Sequence, residues 1–264
     1  MRPSKWRCET GGGFVGCGWS TNAVARSSGR PFSPQPRWFH VPPTATQDEL
    51  RKAFARWGRP ELLRVDNGAP WGSSGDLPTD LQLWLKGVGV GLQCNPPHAP
   101  QTNGKVERSQ GTAKRWGEPG QCDTPEEFQK QLDVMDMIQR EDYPSCAGQS
   151  RLAAYPGLVH SGQAYTRQWE ETTWDFAAAA ALLGGYAARR LVSRSGKISV
   201  YNRNYHIGIL SAKKFVYLMF DPETIEWVVA DEEGRQLSRK PAPEISPEAI
   251  QGLRVTHRRK PPRR

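Results

Sequence analysis

Along the chain the hydrophobic positions keep one period in the first half and another in the second. Leu50, Ala53, Phe54 and Trp57 fall at i, i+3, i+4 and i+7, one apolar stripe of a helix. Thr46-Gln47-Asp48-Glu49 just ahead of it reads as a capping box, and Gly58 and Pro60 stop it. Leu62-Leu63-Arg64-Val65 predicts a short buried strand running into Asp66-Asn67-Gly68. A second helix is predicted over Asp80–Gly87, with Leu81, Trp84, Leu85 and Val88 on one face, and a strand over Val90–Cys94. Pro100-Gln101-Thr102-Asn103-Gly104 is a turn into a polar helix from about Lys105 to Trp116. Another helix follows Thr124, a cap, with Pro125 at its first position. Such alternation predicts an α/β domain over residues 44–150.

From Arg190 the period becomes 2. Ile198 and Val200 alternate inward, then Tyr205, Ile207 and Ile209 after the turn Asn202-Arg203-Asn204. Lys214–Phe220, Ile225–Ala230 and Arg235–Leu237 complete a set of short strands separated by turns. Short antiparallel strands in that density predict a small closed β-barrel of SH3-like type over 190–240. Residues 151–189, with an Ala-rich helix at Ala177–Leu183, read as a helical connector, and 241–264 as a basic tail.

Residues 1–43 hold neither period, and Glu9 is their only acid. Trp6, Phe14, Trp19, Phe32, Trp38 and Phe39 make the stretch too aromatic for an ordinary disordered tail. The net charge of +9 over 264 residues points to a polyanionic partner, most often nucleic acid. That charge is concentrated at the two ends. Residues 1–43 carry six bases against one acid, and the tail from Arg258 to Arg264 carries five bases. No apolar run is long enough for a membrane span, and Met1–Thr10 lacks the apolar stretch of a signal peptide. The expected location is therefore the cytoplasm, with the nucleoid. Five cysteines without a Cys-x-x-Cys pair fit a reducing compartment, and Cys94 with His98 lacks the second ligand pair of a zinc site.

Asp66 ends a predicted strand and Glu107 sits on a predicted helix 41 positions later. Carboxylates from different elements can hold Mg²⁺ through hard oxygen ligands. Two such ions clamp the attacking and leaving oxygens of an in-line phosphoryl displacement. By themselves these two acids are better read as a strand-end Asp bonding a turn and a Glu on a solvated helix face. Trp71 and Trp84 are expected in the core rather than as base-stacking platforms, and His98 as a loop histidine bonded to backbone.

The surrounding strings sharpen this. Arg64-Val65-Asp66-Asn67-Gly68-Ala69-Pro70-Trp71 and Asn95-Pro96-Pro97-His98-Ala99-Pro100-Gln101-Thr102-Asn103-Gly104-Lys105-Val106-Glu107-Arg108 occur in order. Together they resemble the catalytic core of DDE-type transposases and retroviral-type integrases. They look closest to bacterial insertion-sequence integrases of the rve class. The resemblance covers about residues 44–145 and implies an RNase H-like fold, with Asp66 and Glu107 as the second and third ligands of Mg²⁺ (or Mn²⁺). It implies DNA as partner, both transposon ends and target, and a homo-oligomer assembled on that DNA. The C-terminal strands are similar to the small β-barrel that many such enzymes append. Asn103 and Gly104 open the glutamate helix, whose N-terminal amides could face a phosphate. Lys105, Arg108 and Lys114 are candidates for backbone phosphate contacts, which position DNA without reading its sequence.

The sequence departs from that family at its start. The family's first aspartate lies on the first core strand, about sixty residues before the second. Here no Asp precedes Asp48, and Asp48 belongs to a helix-start motif. Residues 1–43 show no strand pattern, so the first third of the core reads as missing or replaced. An Arg/Gly/Pro/Trp-rich, acid-poor stretch is what GC-rich DNA gives when read out of frame, and three-frame translation of the upstream DNA tests that origin. Strand transfer by the chain as written is expected to be slight or absent. The alternatives are a catalytically dead DNA-binding remnant and a protein-interaction module built on the barrel.

Overall fold

The computed structural model describes residues 42–65, 68–72, 76–95, 115–116 and 122–257. It is a mixed α/β chain that divides into two compact units. One comprises residues up to 66 together with 93–172, the other 67–92 together with 173–264.

The first unit starts with α1 (Pro43–Trp57). Its beginning differs from the expected capping box. Pro42 is the N-cap, Pro43 is the first helical residue, and no side chain caps the end. A proline at that position gives up only an amide that the helix cannot use, and its fixed φ is already helical. Thr46 and Glu49 are therefore buried in the helix itself, and Glu49 pairs with Lys52 at 2.8 Å. The stripe behaves as predicted: Leu50 and Phe54 are buried, and Phe54 meets Tyr165 edge-on at 5.7 Å. Strand β1 (Leu62–Val65) pairs with β2 (Gly91–Cys94). The helix α3 (Pro125–Glu141) is capped by the Thr124 hydroxyl, which accepts from Glu127 N–H at 3.2 Å, as the sequence predicts. It buries Phe128, Leu132 and Met135 in one cluster, against which Cys122 packs. Shorter helices α4 (Arg151–Ala154) and α5 (Arg167–Thr173) follow.

The second unit is organised around α2 (Asp80–Gly87), which carries a complete Thr79/Gln82 capping box. Leu81, Leu83, Trp84 and Leu85 are all buried, so this helix is covered on nearly every side. It packs on α6 (Phe176–Gly184) and on α7 (Pro247–Gln251). Among the described residues six strands accompany them: β3 (Ala187–Leu191), β4 (Lys197–Val200), β5 (Arg203–His206), β6 (Phe215–Asp221), β7 (Glu226–Ala230) and β8 (Gln236–Pro241).

These strands do not close into the expected barrel. They form a four-stranded antiparallel sheet in the order β3-β6-β7-β8 and a separate β4-β5 hairpin. Alternation fixes which residues point inward, and Ile198, Val200, Val216, Leu218, Trp227 and Val229 are buried. Closure depends on which distant strands meet, and the period carries no information about that. The β4-β5 turn is Tyr201-Asn202, both at positive φ, one residue earlier than its predicted position. No helix among the described residues is long and apolar enough to cross a membrane.

Candidate functional site

Leu63, at the middle of β1, is buried. Beyond the strand, Asn95 N–H donates to the Val65 carbonyl at 2.9 Å, which sets the carboxyl ends of β1 and β2 side by side, as in a parallel pair. In α/β sheets, ligands gather outside the carboxyl ends of strands. Asp66 is the next residue after β1 in the chain, and Asn95-Pro96-Pro97 follow β2.

The site residues predicted from sequence, Asp66, Asn103, Gly104, Lys105, Glu107, Arg108 and Lys114, lie outside the described residues, as does His98. Of the polar helix expected over 105–116, Arg115 and Trp116 are described and helical, and Trp116 meets Tyr143 edge-on at 5.3 Å. Trp84 is fully buried, as expected of a core residue, and Trp71 is half-buried. No group of three His, Cys, Asp or Glu among the described residues could hold a metal ion. By donor chemistry, the carboxylates of Asp66 and Glu107 suit Mg²⁺ or Mn²⁺. In number they are one short of the three that the resemblance implies.

The structure buries two acids, one in each unit, that sequence reading did not single out. Glu170 accepts from Arg51 through both carboxylate oxygens, at 2.7 and 3.0 Å, and from the Tyr165 hydroxyl. Glu244 accepts from the Tyr205 hydroxyl at 2.6 Å and from the Trp227 indole N–H at 2.8 Å. Burial pushes both tyrosine hydroxyls well above their ordinary pKa, and the facing carboxylates push them further. Glu170 and Glu244 are sealed from solvent, so these clusters tie segments together and offer nothing for a substrate to reach. With partners 119 and 39 positions away, no local pattern announces them.

A third feature lies in the second unit. Residues 176–220 contain seven Lys or Arg and no Asp or Glu. Arg189 pairs with Glu232 at 2.8 Å, Arg190 with Asp76 at 2.8 Å, and Arg203 reaches Glu244 at 4.0 Å. Arg194, Lys197, Lys213 and Lys214 are exposed and make no ion pair among the described residues. Counting charge in windows would have found this stretch, which the near-neutral total of the middle of the chain conceals. A comparison with protein-family models gives no match.

Proposed function

We propose that the chain is a DNA-binding protein of the DDE transposase/integrase type, with Asp66 and Glu107 as two of its metal ligands. The observation that carries this reading is the pair of strings around Asp66 and Glu107, in order and 41 positions apart. Support comes from the scaffold: the first string begins on β1, which buries Leu63 and whose carboxyl end lies beside that of β2. The finer fold in this reading is an incomplete RNase H-like core followed by an opened relative of an SH3-like barrel. The partners are the DNA ends of a mobile element and a target duplex, with the protein acting as a homo-oligomer.

A metal held by Asp66 and Glu107 would stabilise charge on the transferring phosphoryl group. One observation favours a catalytically silent version of the same protein. Asp48, the only other aspartate ahead of Asp66, is an exposed residue of α1 that pairs with Arg51 at 3.3 Å, so it is no strand ligand. A Mg²⁺-dependent DNA-joining assay run beside a salt-titrated binding assay tests the proposal. We expect duplex binding that weakens steeply with salt, and little or no joining. Failure to bind duplex DNA at low salt overturns the reading. Turnover that Glu107→Gln abolishes keeps the family assignment and overturns the silence.

A further inference from the structure

Ile209 and Leu210 are the two most exposed large apolar side chains among the described residues, at 69% and 95%. The alternation of Tyr205, Ile207 and Ile209 predicts a strand there. Instead β5 stops at His206, and Ile209–Ser211 is a single 3₁₀ turn. Gly208, at φ 118, breaks the extended run and aims the next two side chains outward.

The turn is held on both sides. Ile207 N–H and Gly208 N–H both donate to the Gly196 carbonyl, at 2.8 and 3.3 Å. Lys213 N–H donates to Val192 C=O at 2.9 Å, and Val192 N–H returns to Lys214 C=O at 3.0 Å. The backbone of Gly196 presses against Gly208 so closely that a Cβ there would lie 2.6 Å from the Gly208 carbonyl carbon. The four cations without ion pairs sit on the segments that make these contacts. Arg194 and Lys197 flank Gly196, and Lys213 and Lys214 follow the turn.

We propose that Ile209 and Leu210 form a wedge that enters between base pairs of duplex DNA from the minor groove, with Arg194, Lys197, Lys213 and Lys214 on the flanking phosphates. This rests on the DNA reading above and adds a deformation of the duplex to it. Leu and Ile are side chains that architectural proteins insert between base steps, offsetting the cost of unstacking with added contact to the bent duplex. A wedge must keep its shape to separate stacked base pairs, and the double anchoring supplies that. Charge complementarity selects the occupant, because four exposed cations without an ion pair among the described residues, grouped around the turn, suit a dense row of phosphates. Two such side chains carry fewer carbons than one myristoyl group, which alone holds a protein to a membrane only marginally, so a bilayer is the poorer fit.

The test uses the full chain and a short mixed-sequence duplex with dyes at its ends and a fluorescent adenine analogue at a central TA step, which is easily unstacked. Wild type should shorten the end-to-end distance and brighten the analogue. Leu210→Ala should bind more weakly, with an unchanged salt slope, and leave the duplex straight and the analogue quenched. Lys213→Gln/Lys214→Gln should lower the log–log salt slope by about two. Binding by wild type without bending or brightening overturns the wedge and leaves the DNA reading standing. Bending that Leu210→Ala does not reduce also overturns it. Capture by phosphatidylserine vesicles, lost in Leu210→Ala and unaccompanied by duplex binding, overturns both. Bending without strand joining, with or without Mg²⁺, supports the wedge independently of the catalytic assignment.

Discussion

Glu170 shows what a buried charge demands of its neighbours. Its carboxylate is matched by the Arg51 guanidinium through two hydrogen bonds and by the Tyr165 hydroxyl. Removing it takes from the largely buried guanidinium its two-pronged partner and leaves the weaker contacts to exposed Asp48 and to Gln47, and breaking a buried pair costs up to about 3–5 kcal/mol. Glu170→Ala is therefore expected to lower the urea midpoint of the first unit sharply, and a change indistinguishable from zero would refute the network's role. Asp136 is the opposite case. Burial raises its pKa despite the nearby charges of Arg140, Arg56 and Arg151, so folding favours its neutral form. A carboxyl raised in the folded state stabilises fully below its unfolded pKa, and that contribution fades as pH climbs through the folded value. Asp136→Asn should raise the melting temperature at pH 7 and change it little at pH 3, a sign that thermal melts at the two pH values will show.

At the level of elements, the docking of α2 turns on a small residue. A Cβ on Gly87 would lie 2.2 Å from the Trp174 ring, and that ring donates its N–H to the Trp84 carbonyl at 3.1 Å. Gly87→Ala should displace Trp174 and cost about 1–3 kcal/mol, read as a lower denaturant midpoint with altered tryptophan fluorescence. Helices are well marked in the sequence where one signal acts alone. Asp80–Gly87 has the predicted bounds, and Thr124-Pro125 starts α3 as expected. Two signals compete at α1, and Pro43 prevails over Thr46. Strand positions are legible from their period, but Ala187–Leu191 begins earlier than Arg190, where the alternation becomes visible. The strand predicted through Ile209 fails because Gly208 interrupts the extended backbone, and glycine leaves no mark on a hydrophobic count. The candidate metal ligands are legible through their flanking strings, whereas the turn at 209–211 emerges only from contacts made by Val192 and Gly196.

For the whole molecule, the grouping of residues 67–92 with 173–264 matters most. The sheet and hairpin do not complete that unit without α2, whose Leu81, Leu83, Trp84 and Leu85 are buried. Asp80 also accepts from the Thr256 hydroxyl at 2.5 Å. A fragment of residues 173–264 should therefore melt below the same fragment with 67–92 joined through a flexible linker, and calorimetry on the two will show the difference.

That grouping also sets a timetable for synthesis. Asp80 leaves the ribosome 176 positions ahead of Thr256. At about 5–20 residues per second, the wait is roughly 9 to 35 s. Throughout it, the apolar sides of α2 have no completed unit to enter. The nascent chain has to keep one of its most apolar helices out of trouble until Thr256 is made, so expression should depend on holdase chaperones and on translation speed beyond codon 92.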